Sequence, residues 1–269
     1  SNAAEGNTAN PQERSFSSSS AQSQYRPTIT IQYVNANGYE DYWQFLDQDV
    51  GRAGAARVNL FTGNLVVSRA DLGIDGNRLP VNIQMTYNAN DRVTDIGYGR
   101  GWRMNYSKKI VAKTIGGSQY YLWTDEDGTQ QVFKQETVDG ATIWADEAGR
   151  GYELTLDVSS TVKYRLTDTG DNQLDFDTGG RLVRIQDGRN AANHIAIEYV
   201  ASANNTLRIN RITDGAGRVY EMAYEGYDGM RLTKVTYTGT NGALAADQQR
   251  SVSYAYTTRT IADKTAYML

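Results

Sequence analysis

The 269 residues contain no cysteine, three prolines and a single histidine. Without thiols there can be no disulfide, no thiolate nucleophile and no cysteine-ligated zinc. His194 alone would have to anchor any Ser-His-Asp triad or His-rich metal site. Its place at the entry of Ile195-Ala196-Ile197 reads as structural or solvated. So few prolines leave the strands nearly all of their backbone donors. No stretch approaches the roughly 18 apolar residues of a membrane-spanning helix, and no signal-peptide pattern is visible. A basic stripe is also missing. Lys and Arg number 27 against 31 Asp and Glu, a net charge of −4, which argues against a nucleic-acid or anionic-membrane partner. A chain free of cysteine is compatible with export from a bacterial cell.

What is plentiful is tyrosine and glycine. Nineteen Tyr and 4 Trp stand against 5 Phe and 5 Met, so the core draws on rings with an apolar body and a polar tip, suited to pleated, half-buried surfaces. The 26 Gly allow frequent turns through positive φ. Ile29, Ile31 and Tyr33 alternate with polar residues, as do Val81, Ile83, Met85 and Tyr87, which is the period of a half-buried strand. Val58–Leu60 and Leu65–Val67 flank Thr62-Gly63-Asn64 as a hairpin. Tyr120–Trp123 and Gln131–Phe133 flank Asp127-Gly128 as another. The spacing of Tyr39, Tyr42, Trp43 and Leu46 fits helix and strand templates alike, and strand is the reading preferred. Asp-Gly or Asn-Gly recurs from Asn37 to Asn241, too often for long helices. The expected fold is all-β: antiparallel hairpins in an open, strongly twisted sheet.

Four segments are expected. Residues 1–27 read as a cloning scar (Ser1-Asn2-Ala3) followed by a Ser/Asn/Gln-rich linker that buries too little to order itself. Residues 28–165 read as a β-rich segment, 166–257 as repeats, and 258–269 as a truncated tail. The repeat is the most specific feature. Leu182 to Leu207, Leu207 to Leu232 and Tyr199 to Tyr224 are each 25 residues apart, and a fixed period of this kind marks stacked supersecondary units. Each unit reads as strand, turn, strand. Asp187-Gly188 and Asp214-Gly215-Ala216-Gly217-Arg218 form the turns, Asp capping and Gly supplying positive φ. Tyr199 and Tyr224 pack against the next unit.

The element Asp214-Gly215-Ala216-Gly217-Arg218, followed by Tyr220 to Tyr224, resembles the repeat of the Rhs/YD-repeat proteins. That family includes bacterial polymorphic toxins, insecticidal toxin-complex shell subunits and animal teneurins. Upstream, the likeness rests on Val58 to Leu65 with Gly63 and Asn64, and on Leu79-Pro80 before a strand ending Tyr87-Asn88. It also rests on Gly97-Tyr98-Gly99-Arg100-Gly101-Trp102, and it covers about Tyr42 to Tyr237. It implies a spiral sheet that, in full-length relatives, closes into a hollow shell around a C-terminal toxin. The partners implied are further repeats and that toxin domain, and the location implied is secreted or cell-surface. No counterpart of the family's autoproteolytic core is found here.

Other patterns give little chemistry. Asp125-Glu126-Asp127-Gly128-Thr129 with Glu136 invites a calcium loop, but Gln130 stands where the loop glycine belongs, and a hairpin turn accounts for it. Gly97, Gly99 and Gly101 are followed by no helix pattern, so a phosphate-cradling loop gives way to a bent or bulged strand. No cofactor and no metal site is expected. The leading expectation is a structural, encapsulating module that is not an enzyme. A carbohydrate-binding or adhesive surface module is the alternative, and exposed, coplanar aromatics would favour it.

Overall fold

A computed structural model of the chain describes residues 38–40, 42–226, 230–261 and 264–269. The strand expected at Thr28 to Val34 lies outside the described residues. Among the described residues there is no α-helix, and every strand pair is antiparallel.

Five strands make the first sheet, in chain order: β1 (Phe45–Asp49), β2 (Ala55–Asn59), β3 (Leu65–Gly73), β4 (Asn82–Asn88) and β5 (Trp102–Met104). The β2–β3 turn follows from its residues. The Asn59 side chain accepts from the amides of Phe61 and Thr62 at 2.9 Å each, and Gly63 turns the chain at φ 70°. Asn64 is buried because its amide donates to Asn88 Oδ1 at 3.0 Å, while Asn88 donates to the Asp127 carbonyl at 2.8 Å. β1 begins only at Phe45. Tyr42 and Trp43 lie in a turn that precedes it, so the strand reading of Tyr39 to Leu46 holds for its last two residues alone.

The second sheet is a meander of thirteen strands, each paired with its sequence neighbours. It begins with β6 (Lys109–Ile115), β7 (Ser118–Thr124), β8 (Gln130–Val138), β9 (Ala141–Asp146), β10 (Glu153–Leu156) and β11 (Tyr164–Thr167). It continues through β12 (Gln173–Phe176), β13 (Leu182–Gln186), β14 (His194–Ala201), β15 (Leu207–Thr213), β16 (Arg218–Glu225), β17 (Arg231–Thr240) and β18 (Arg250–Ser253). The boundary drawn at 165/166 falls inside β11. Residues 258–269 contain most of a separate hairpin, β19 (Thr257–Ile261) with β20 (Lys264–Met268).

The sheet curls without closing. Ile110 N donates to Gly180 O at 2.8 Å and Leu182 N to Lys108 O at 3.3 Å, around a single bridge between Lys109 and Arg181. This seam brings β6 to the start of β13. The core is continuous across the curl and the first sheet. Trp123, Phe133, Leu166, Phe176, Leu182, Ile212, Tyr220 and Leu232 pack with Val81, Ile83, Met85 and Met104, all essentially inaccessible. Burying side chains of this size is the main favourable term in folding.

Repeat units share an irregularity that the period alone did not reveal. The β14–β15 pairing shifts register between Glu198 and Tyr199, which leaves Asn210 as an extra residue in β15, and the β16–β17 pairing shifts between Ala223 and Tyr224, which leaves Thr233 extra in β17. The two shifts are 25 residues apart (199 to 224), each facing a repeat tyrosine, and a bulge bends the strand that carries it.

Candidate functional site: repeat turns and an arginine-tyrosine cavity

The Asp214 turn is held almost entirely by its own aspartate. Asp214 Oδ1 accepts from the amides of Ala216 and Arg218 at 2.8 and 2.9 Å, and Oδ2 accepts from Arg218 Nε at 2.6 Å. Gly217 has φ 76° and donates to Asp214 O at 2.9 Å. This is a three-residue hairpin loop, a type I turn finished by a left-handed residue. Arg218 then donates to the Asp75 carbonyl at 2.7 Å, tying the repeat to the β3–β4 connection. The carboxylate side chain is fully buried and its arginine nearly so.

Two further turns with this geometry escaped the sequence reading. Asp177 caps the amides of Gly179 and Arg181 and pairs with Arg181 at 2.6 Å. Asp146 caps the amides of Ala148 and Arg150. Both fit Asp-x-x-Gly-Arg, a spacing that a search of the chain would have found. Asp168 makes the same turn with Asp171 at φ 63° in place of glycine.

Asp187 behaves otherwise. Its carboxylate caps the Arg189 amide at 2.8 Å and accepts from the Asn193 side chain at 2.9 Å, and its amide donates to Asn193 O. The connection is a longer loop, and Gly188 does not adopt positive φ. The expected left-handed role at Gly188 is therefore corrected: the extra residues reverse the chain without it.

Tyr199 Oη donates to the Leu182 carbonyl at 2.8 Å, and the Arg181 guanidinium lies over its ring at 5.6 Å. Arg208 lies over the Tyr224 ring at 4.8 Å, and Arg231 over Tyr267 at 3.1 Å. These pairs line a cavity of about 1260 Å³ between the repeat strands, the segment 91–109 and β20. The Gly97 to Gly101 stretch forms one wall as a loop rather than the bent strand expected. Its Gly97 carbonyl accepts from Leu232 N at 3.0 Å, and Arg100 N donates to Tyr267 O at 2.9 Å. Gly99 and Gly101 both have positive φ, and Trp102 opens β5 with its ring 5.5 Å from that of Tyr87. Burial pushes the hydroxyls of Tyr98, Tyr199 and Tyr224 up, so they stay protonated at neutral pH.

At one side of the cavity Lys108 meets Asp125 at 2.5 Å and pairs with Glu126. Burial disfavours the ammonium, but the two carboxylates outweigh it and raise its pKa. Glu126 is pushed up to about 7 by burial, with the neighbouring Asp125 adding to the effect. Asp125 to Thr129 is the turn of the β7–β8 hairpin, where Asp127 accepts from the Thr129 amide at 2.9 Å. His194 Nδ1 lies 3.2 Å from the Ala191 carbonyl. Among the described residues no group of three or more His, Asp or Glu could hold a metal ion.

Among the described residues, aromatic exposure is confined to the start of the first sheet. Tyr42 and Phe61 are exposed, and Trp43 stacks on Phe61 at 5.2 Å.

Residues 55–133 match a family described as a domain of unknown function, DUF6531. The matched span holds Gly63, Asn64, Gly99, Gly101 and Trp102. The chain is also similar to the tRNA3(Ser)-specific nuclease WapA of Bacillus spizizenii and to the tRNA nuclease WapA of Bacillus subtilis strain 168. A third similar protein is the tRNA(Glu)-specific nuclease WapA of Bacillus subtilis subsp. natto. Each is 31% identical over 155 residues, which are 58% of this chain and 6% of the relative. The chain thus spans a small fraction of the length of these relatives. Their names overturn the expectation that the protein is not an enzyme, since they point to a nuclease. One histidine and carboxylates with no cleft to place them across describe only these 269 residues, whereas the relatives are many times longer.

Proposed function

We propose that this chain is a β-sheet shell segment of a larger Rhs/YD-type nuclease that acts on tRNA, secreted or displayed at a bacterial cell surface. The observation that carries this reading is the thirteen-stranded meander whose turns repeat one Asp-capped geometry. A sheet built from such units grows by adding units, each burying its face on the last. Among the described residues β18 pairs only with β17, which leaves its outer edge able to accept another strand. The curl and its seam give the sheet the concavity of a wall around an interior. The downstream partner is the nuclease domain, and that domain supplies the cleavage chemistry.

The test compares this chain with the natural protein carrying its downstream sequence. Hydrogen exchange at the Arg250–Ser253 amides is expected to slow in the longer protein, which is expected to cleave tRNA. Its nuclease domain should resist protease until the shell is unfolded. Unchanged exchange, together with a nuclease domain that is cut freely in the folded protein, would refute the shell.

The cluster of exposed Tyr42 and Phe61 around the half-buried Trp43 is the one observation that favours a carbohydrate-binding surface. Loss of cell-wall glycan retention in a Phe61→Ala variant would support it.

A further inference from the structure

We propose that the arginine-tyrosine cavity is a binding site for a small phosphate-bearing anion. The inference does not depend on the shell reading. It begins from charge: the whole chain is negative at −4, yet Arg100, Arg103, Lys108, Lys109, Arg181 and Arg231 line this cavity beside only two carboxylates, Asp91 and Asp95.

Pairing decides how much of that charge is available. Arg103 is neutralised by Asp91 at 2.8 Å, Arg181 by Asp177 at 2.6 Å, Arg231 by Asp95 at 3.5 Å, and Lys108 by Asp125 and Glu126. Arg100 and Lys109 line the same space and make no ion pair among the described residues. A second observation comes from the wall itself. The Arg181 guanidinium, paired with Asp177, keeps 29% of its side chain accessible where it lines the cavity. Arg181 is bridged to Lys109 across the seam, so a partly open guanidinium and an uncompensated ammonium stand side by side.

The chemistry of the lining favours phosphate over carboxylate. Guanidinium and ammonium groups present several donors, matching a tetrahedral group with several acceptor oxygens and about two negative charges. Burial keeps the Tyr98 hydroxyl protonated, and it lines the cavity beside Ser107, Thr94 and Thr206. A volume of about 1260 Å³ accommodates a ligand of nucleotide size, since pockets for small organic ligands run from about 300 to 1,000 Å³. The aromatic faces are covered by Arg181, Arg208 and Arg231. They are not the open stacking platforms that single-stranded RNA uses, so the site suits a small anion rather than a polymer.

The test is titration calorimetry on the 269-residue chain with pyrophosphate as the probe, alongside adenosine monophosphate, a ten-nucleotide RNA and a glutamate-rich peptide. Saturable binding of pyrophosphate or adenosine monophosphate is expected. It should weaken about tenfold in Arg100→Ala and again in Lys109→Ala, the worth of one charge-assisted contact each. Arg52→Ala, at an exposed position outside the cavity lining, should leave it unchanged. Should either alanine variant unfold, Arg100→Lys and Lys109→Arg keep the charge and are expected to keep binding. Saturable adenosine monophosphate binding would show that the space admits an organic portion, and binding of pyrophosphate alone would assign the site to free phosphates. Absence of saturable binding by both overturns the proposal. So does binding indifferent to Arg100 and Lys109, or an affinity for the RNA or the peptide that exceeds both small anions.

Discussion

Replacing Gly180 by alanine separates the two kinds of demand that this fold makes on a turn glycine. Gly180 and Gly217 occupy the same place in Asp-x-x-Gly-Arg turns, at φ 74° and 76°. On local grounds the two substitutions are equal, each straining a left-handed residue by about 1 kcal/mol. Their surroundings differ. A Cβ on Gly217 would meet nothing nearer than the Asn241 side chain at 3.5 Å. A Cβ on Gly180 would stand 1.9 Å from the Ile110 carbonyl oxygen, where no side chain can give way. The backbone must then separate by about an ångström, which breaks the Ile110–Gly180 and Leu182–Lys108 hydrogen bonds at about 1 kcal/mol each. The expected cost is about 3 kcal/mol for Gly180→Ala against about 1 for Gly217→Ala. For a chain of this size that is a fall in Tm of roughly 6–12 °C against 2–4 °C. Thermal unfolding measures the difference, and hydrogen exchange should show the Ile110 and Leu182 amides exposed only in Gly180→Ala. Equal losses in the two variants, with the Ile110 amide still protected, would refute the seam.

The Asp214→Ala variant should lose about 3 kcal/mol in urea unfolding, because it leaves the largely buried Arg218 guanidinium without its carboxylate. Arg211→Ala removes a pair with Glu221 that is exposed on both sides and should cost under about 1 kcal/mol. Glu126 gives a pH signature of definite sign. Its folded pKa, about 7, lies above the ordinary 4.5, so the neutral acid is favoured in the folded chain. That contribution is whole below about 4.5 and is lost as pH rises towards 7. Relative to Glu126→Gln, the parent chain should lose stability between pH 4.5 and 7. The effect is reduced by solvent screening, since the side chain is 39% exposed. A flat difference in Tm across that range would show that burial does not govern this carboxylate.

The sequence by itself determined the all-β class. Period-two alternation in stretches such as Val81 to Tyr87, with Asp-Gly turns between them, leaves a chain no other way to bury one face while pairing its backbone. The 25-residue period is legible there too, in the spacing of Leu182, Leu207 and Leu232, but their burial is not: Leu182 and Leu232 are buried and Leu207 is exposed. The aspartate caps are local chemistry of the same kind, legible wherever Asp-x-x-Gly-Arg is recognised. Tertiary structure decided the rest. Gly180 and Gly217 stand in the same Asp-x-x-Gly-Arg frame at nearly the same φ, and the difference lies in β6, about 70 residues upstream, whose Ile110 carbonyl is pressed against one and not the other. The cavity is likewise invisible in a composition of net negative charge. Its cations come from Arg100, Lys109, Arg181 and Arg231, dispersed along the chain and gathered only when the sheet curls. Local propensities act within a turn or a strand, whereas charge and close approach act through space. Only the folded chain determines which residues are near one another in space.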